Sequence, residues 1–182
     1  MNVPNTITLA RLAAVPILVW LILVNDLQIA FWVFLAAALS DAIDGIIAKH
    51  FNAETVFGAY IDPIADKALL VGTYITLGHE GFLPIWLVIL VVFRDIVIVG
   101  GALVFHTVTQ SLSMRPIMIS KVNTVAQLLL AIGVLFVFGF DIEDGPFLGV
   151  MGYFIAITTL WSGIAYVTTW SRLAAELEKK GH

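Results

Sequence analysis

Along this chain, long apolar runs are cut at intervals by small clusters of polar and turn-forming residues. The runs cover roughly residues 6–24, 28–49, 59–78, 84–106, 121–140 and 146–170. Each is close to the length a helix needs to cross a bilayer, about 20 residues for about 30 Å of hydrocarbon. The breaks carry turn signals: Asn25-Asp26, Asn52 to Thr55, His79-Glu80-Gly81, Ser111 to Pro116 and Asp141 to Pro146. The pattern predicts an all-α fold, an integral membrane bundle of six transmembrane helices, with residues 1–182 as a single membrane domain. The polar tail from Arg172 to His182 reads as a solvated helix end. There is no internal repeat and no low-complexity segment.

Composition agrees with the pattern. Of the 182 residues, 60% are hydrophobic and 12% charged, with a mean hydropathy of +1.02. A soluble domain is nearer 45–50% apolar and about 25% charged. The net charge of −4 says little about partners, because the charges are few and segregated. Nothing in it suggests nucleic acid. With no cysteine, disulfides and thiolate metal sites are excluded, so a metal must sit on oxygen or histidine. The N-terminus lacks the basic region and cleavage site of a removable signal peptide.

The basic residues set an orientation. Arg11, Lys49, Lys67, Arg115, Lys121, Arg172, Lys179 and Lys180 fall on the side that holds both termini and the second and fourth connections. The other three connections carry no Lys or Arg. The positive-inside rule then puts both termini in the cytoplasm, as in a bacterial inner membrane protein.

The chemistry concentrates between Asp41 and Lys67, in DAIDGIIAKHFNAETVFGAYIDPIADK. Asp41 and Asp44 are three apart, Asp62 and Asp66 four apart, so each pair shares a face of its helix. Carboxylates beside hydrocarbon need a cation, and all-oxygen ligands suit Mg²⁺, Mn²⁺ or Ca²⁺. A plain alternative is an acid network paired with Lys49, Lys67 and Arg94, or a cation or proton pathway such as a transporter uses. A membrane prenyltransferase is a further rival, although its paired acidic motifs lie farther apart in the chain.

The spacing Asp41-x-x-Asp44-Gly45-x-x-Ala48-Lys49, eight residues, Gly58-x-x-x-Asp62-x-x-x-Asp66 resembles the signature of the CDP-alcohol phosphotransferase family. Every spacing matches; the one departure is Lys49, where the family has Arg. Lys keeps the charge but loses the bidentate fork that suits a diphosphate. The resemblance implies that Asp41, Asp44, Asp62 and Asp66 hold two divalent cations, Mg²⁺ or Mn²⁺. It also makes Asp66 the general base, and puts Gly45, Ala48, Lys49 and Gly58 beside the nucleotide and diphosphate. Homodimers are common in the family, so one is expected.

Asn5, Thr8 and Arg11, each three apart, resemble the opening of the phosphatidylglycerophosphate and cardiolipin synthases within that family. The resemblance places Asn5 and Thr8 near the cytidine and Arg11 near a phosphate. Helix capping and a snorkelling Arg are the bland alternative. Arg94, inside the fourth run, is either a substrate contact or half of an ion pair with Asp95. Neighbouring side chains point about 100° apart, so both cannot face one partner squarely.

Farther on, Ser120-Lys121-Val122-Asn123-Thr124-x-x-Gln127 resembles cardiolipin synthases of the eukaryotic and alphaproteobacterial kind. Phosphatidylglycerophosphate synthases carry a second Lys where Asn123 stands. One cation fewer suits an acceptor with less charge. The substrates so implied are CDP-diacylglycerol and phosphatidylglycerol, with CMP released and cardiolipin formed. The acceptor-lipid contacts would be Arg94, Arg115, Lys121, Asn123, Thr124 and Gln127. The rival acceptor is sn-glycerol 3-phosphate.

Overall fold

The computed structural model describes the backbone of residues 3–51, 56–109, 118–143 and 145–180. Side chains are described for the same residues except 3–8, 41–51, 56–64, 66, 102–109, 170 and 172–180. The described chain is all-α, with no strand. Six helices follow in order: α1 (Val3–Leu23), α2 (Leu27–Phe51), α3 (Val56–His79), α4 (Ile85–Thr109), α5 (Met118–Gly139) and α6 (Phe147–Lys180). Each apolar run became one helix. The largest difference is at the end, where α6 carries on through the polar tail as far as Lys180.

Three connections are tight reversals built the same way. Asn25, Gly81 and Asp141 take left-handed φ angles of 61°, 82° and 51°. After α1, the Asp26 amide donates to the Leu21 carbonyl at 2.9 Å, and the Asn25 amide to Ile22 at 3.0 Å. After α3 the pairs are Phe82 to Leu77 and Gly81 to Gly78, and after α5 Ile142 donates to Val137. These bonds cap the orphan carbonyls of a helix end in the Schellman manner. Pro84 and Pro146 then open α4 and α6, their carbonyls accepting from Val88 and Val150.

The helix contacts close into a ring, in the order α1, α3, α4, α6, α5, α2 and back to α1, with α3 also touching α5. Inside it lie Ile22, Phe34, Tyr74, Leu77, Leu87, Leu130, Leu135 and Ile155, all fully buried. The outside is apolar too: Trp20, Trp32, Ile85, Ile89, Phe93, Phe147, Tyr153 and Trp161 are exposed. A helix that is hydrophobic all round is either enclosed in a large protein or spans a membrane, and a bundle whose outer surface is also apolar points to the second. Met118–Gly139 and Phe147–Thr169 are each long and apolar enough to cross one. Leu9–Leu23 and Leu27–Ser40 are shorter apolar stretches among the described residues.

In lipid, helices gain little by hiding apolar surface from one another, so association relies on close approach and interhelical hydrogen bonds. Gly139 shows the first: a Cβ there would sit 3.0 Å from the Leu27 carbonyl carbon and oxygen. The end of α5 thus rests on the backbone that begins α2. The second appears in the polar residues that follow.

Candidate active site

Asp41 and Asp44 lie 10 and 7 residues before the end of α2 at Phe51, and Asp62 and Asp66 lie 6 and 10 residues after the start of α3 at Val56. At a rise of 1.5 Å per residue, both pairs sit about 10–15 Å from the connection joining the two helices. α2 and α3 also pack against a common partner, α1. The backbone therefore carries the four aspartates at matched depth on two helices that flank a third. Their side chains lie outside the described residues. So do those of Asn5, Thr8, Gly45, Ala48, Lys49 and Gly58, and Arg115 lies outside them altogether. Among the described residues, no group of three or more His, Cys, Asp or Glu could hold a metal ion. The donor set that the chain offers at this depth is four carboxylates, which fits hard divalent cations.

Next to this depth lies a cavity of about 80 Å³ shared by four helices. α1 contributes Arg11, α2 contributes Ala37 and Ala38, α3 contributes Lys67, Leu69 and Leu70, and α5 contributes Thr124 and Leu128. Ala37 and Ala38 stand one turn before Asp41, and Lys67 directly follows Asp66. Two cations, Arg11 and Lys67, thus line an otherwise nearly apolar crevice beside the acidic helices. Arg11 is 4% exposed. A buried guanidinium deep in an apolar helix is a functional candidate, and it fits phosphate geometry.

Lys67 does not stand alone. Its Nζ donates to Asp95 Oδ2 at 2.7 Å, joining α3 to α4. The other carboxylate oxygen of Asp95 accepts from Arg94 Nη1, also at 2.7 Å. Arg94 Nη2 reaches across to Ser120 Oγ on α5 and Ser162 Oγ on α6, both at 2.6 Å. Asp95 is 3% exposed and Arg94 4%. The sequence argument about neighbouring side chains holds for short ones; the long Arg94 folds one nitrogen back onto Asp95 and sends the other sideways. Arg94 also lines a groove of about 300 Å³ between α4 and α6, whose walls include Phe93, Val97, Leu160 and Ile164.

The predicted acceptor residues on α5 part company. Thr124 faces the cavity of Arg11 and Lys67, and Lys121 is exposed. Asn123 is fully buried against α6, where Thr158 and Thr159 donate to its Oδ1 at 2.7 and 3.0 Å. Gln127 is also fully buried, and its backbone carbonyl accepts from Tyr74 Oη at 3.0 Å. Sequence reasoning did not include Lys67, Asp95, Ser162, Thr158 or Thr159 among the site residues. An available signal was Asp95 itself, an acid in a strongly apolar helix that demanded a cation.

A family model described as CDP-alcohol phosphatidyltransferase matches residues 1–170. The chain belongs to that family. Among relatives, it is 31% identical to the human cardiolipin synthase (CMP-forming) over 91% of its own length and 60% of the human protein. It is 33% identical to the chloroplastic CDP-diacylglycerol–glycerol-3-phosphate 3-phosphatidyltransferase 1 of Oryza sativa subsp. japonica, over 91% of the chain and 56% of the relative. The corresponding enzyme of Bacillus subtilis is 30% identical over 94% of the chain and 97% of its own length. The chain thus spans less than two thirds of the human and rice proteins. Within the family, phosphatidyltransferases of two acceptor classes resemble it about equally.

Proposed function

We propose that this protein transfers the phosphatidyl group from CDP-diacylglycerol to phosphatidylglycerol, releasing CMP and forming cardiolipin. The observation that carries the reading is the matched depth of the four aspartates on α2 and α3, beside a crevice lined by Arg11 and Lys67. Acids paired across two helices next to cations suit an anionic, metal-bridged diphosphate.

Asp41, Asp44, Asp62 and Asp66 would hold two divalent ions, which supply charge neutralisation of the diphosphate and of the departing CMP. Arg11 and Lys67 orient the phosphates from the inner side, and Asn5, Thr8 and Lys49 serve the nucleotide. Asp66 accepts the proton of the acceptor hydroxyl as its oxygen attacks the lipid-linked phosphorus. One oxygen–phosphorus bond forms, the pyrophosphate bond to CMP breaks, and CMP leaves with the electron pair.

Asn123 supports the choice of acceptor. It is uncharged and enclosed by α6 threonines, so it adds no cation for a second phosphate. The groove at Arg94 supports a lipid rather than a soluble acceptor, because its walls on α4 and α6 are apolar. In this reading the bundle crosses a bacterial inner membrane six times with both termini and the site on the cytoplasmic side. It works as a homodimer.

The test is direct. Purified protein receives CDP-diacylglycerol with Mg²⁺ or Mn²⁺ and either phosphatidylglycerol or sn-glycerol 3-phosphate, and the lipid product is identified. Cardiolipin from phosphatidylglycerol, lost on chelation and regained with either metal, is expected. CMP release with glycerol 3-phosphate alone would reject the acceptor, and turnover that survives chelation would reject the metals.

A further inference from the structure

Two separate crevices are lined in part by Lys67 and Arg94, and a single carboxylate of α4 holds both cations. Lys67 lines the cavity shared with Arg11, and Arg94 lines the groove between α4 and α6. Asp95 lies between them, accepting from Lys67 on Oδ2 and from Arg94 on Oδ1. We propose that Asp95 is a positioning residue common to both substrate pockets, setting Lys67 for the nucleotide lipid and Arg94 for the acceptor lipid. The inference rests on the phosphatidyl-transfer reading above.

The donor inventory makes the role possible. An ammonium has three N–H groups, and Lys67 gives one to Asp95. Its side chain is 30% exposed and lines the cavity, so in this proposal the carboxylate fixes the flexible stem and leaves the other two donors for a ligand there. Arg94 is held more tightly, with Ser120 and Ser162 taking Nη2. A purely structural ion pair needs only Arg94 and Asp95, which are adjacent and both buried. The second cation arrives from another helix and stays partly open. One negative charge between two positive ones leaves an excess of positive charge across the two pockets, which suits two phosphate-bearing lipids.

The experiment measures CMP release by purified protein in mixed micelles. CDP-diacylglycerol is varied at saturating phosphatidylglycerol, and then the reverse. Lys67→Gln is expected to raise the KM for CDP-diacylglycerol only, and Arg94→Gln the KM for phosphatidylglycerol only. Asp95→Asn is expected to raise both, each by about tenfold, the low end of what losing a hydrogen bond to a charged group costs. Asp95→Glu keeps the charge and should recover part of both values. Where Asp95→Asn does not fold, Asp95→Glu carries the test, with both KM values raised by about threefold. Asp95 variants that lose thermal stability with both KM values unchanged, or that move only one, overturn the proposal. If the native protein makes cardiolipin, that failure leaves the transfer reading standing. A native protein that releases no CMP with either acceptor removes both.

Discussion

Asp66 has the most exposed role of any single residue, because no other group in the motif is assigned to take the acceptor proton. Asp66→Asn keeps the shape and one acceptor oxygen but cannot accept that proton. A general base contributes about 10²–10⁴-fold, so kcat should fall by about that factor while CDP-diacylglycerol still binds. CMP release and a lipid-binding titration separate the two; near-normal turnover would remove Asp66 as base. Lys49 is the one departure from the family pattern. Lys49→Arg restores a bidentate fork and should leave the KM for CDP-diacylglycerol equal or lower. Abolished turnover in that variant would show that the ammonium does something a guanidinium cannot.

At the scale of helices, the locations of the six described ones were legible because each falls on a long apolar run bounded by turn-forming residues. The ends were less so. α6 continues past the membrane run because residues 171–180 include helix-favouring Ala, Leu, Glu and Lys and contain no Gly or Pro. Helix pairing was not legible: nothing in the apolar pattern says that α4 meets α6 or that α5 meets α2. Gly139 tests the second contact. In Gly139→Val the new carbons meet the Leu27 backbone, which has no flexible end to move aside. Overpacking of this kind costs about 1–3 kcal/mol, so a lower melting temperature in detergent is expected. An unchanged one would mean that α5 ends clear of α2.

For the molecule as a whole, the absence of cysteine makes topology measurable without a background to remove. Single cysteines at Gly81 or Asp141, both exposed in connections without Lys or Arg, should label from outside intact cells. One at His182 should label only after the membrane is opened. Labelling of His182→Cys from outside would reverse the proposed orientation. The active-site halves are also a whole-molecule matter. Arg11 and Thr124 are 113 positions apart yet line one cavity, and Lys67 and Asp95 are 28 apart yet are hydrogen-bonded. Periodicity relates residues three or four apart on one helix and is silent beyond that.

What the chain alone determined is the apolar, all-helical character, the placement of the six helices among the described residues, and the aspartate spacing that marks its family. These follow from local properties: run length, side-chain polarity and residues per turn. Only the tertiary structure decided which helices adjoin, that Arg94 folds back onto Asp95 while bridging to α5 and α6, and that Asn123 turns into α6. Those outcomes depend on how far a side chain reaches and which backbone stands opposite it. Both are set once the ring of helices has closed.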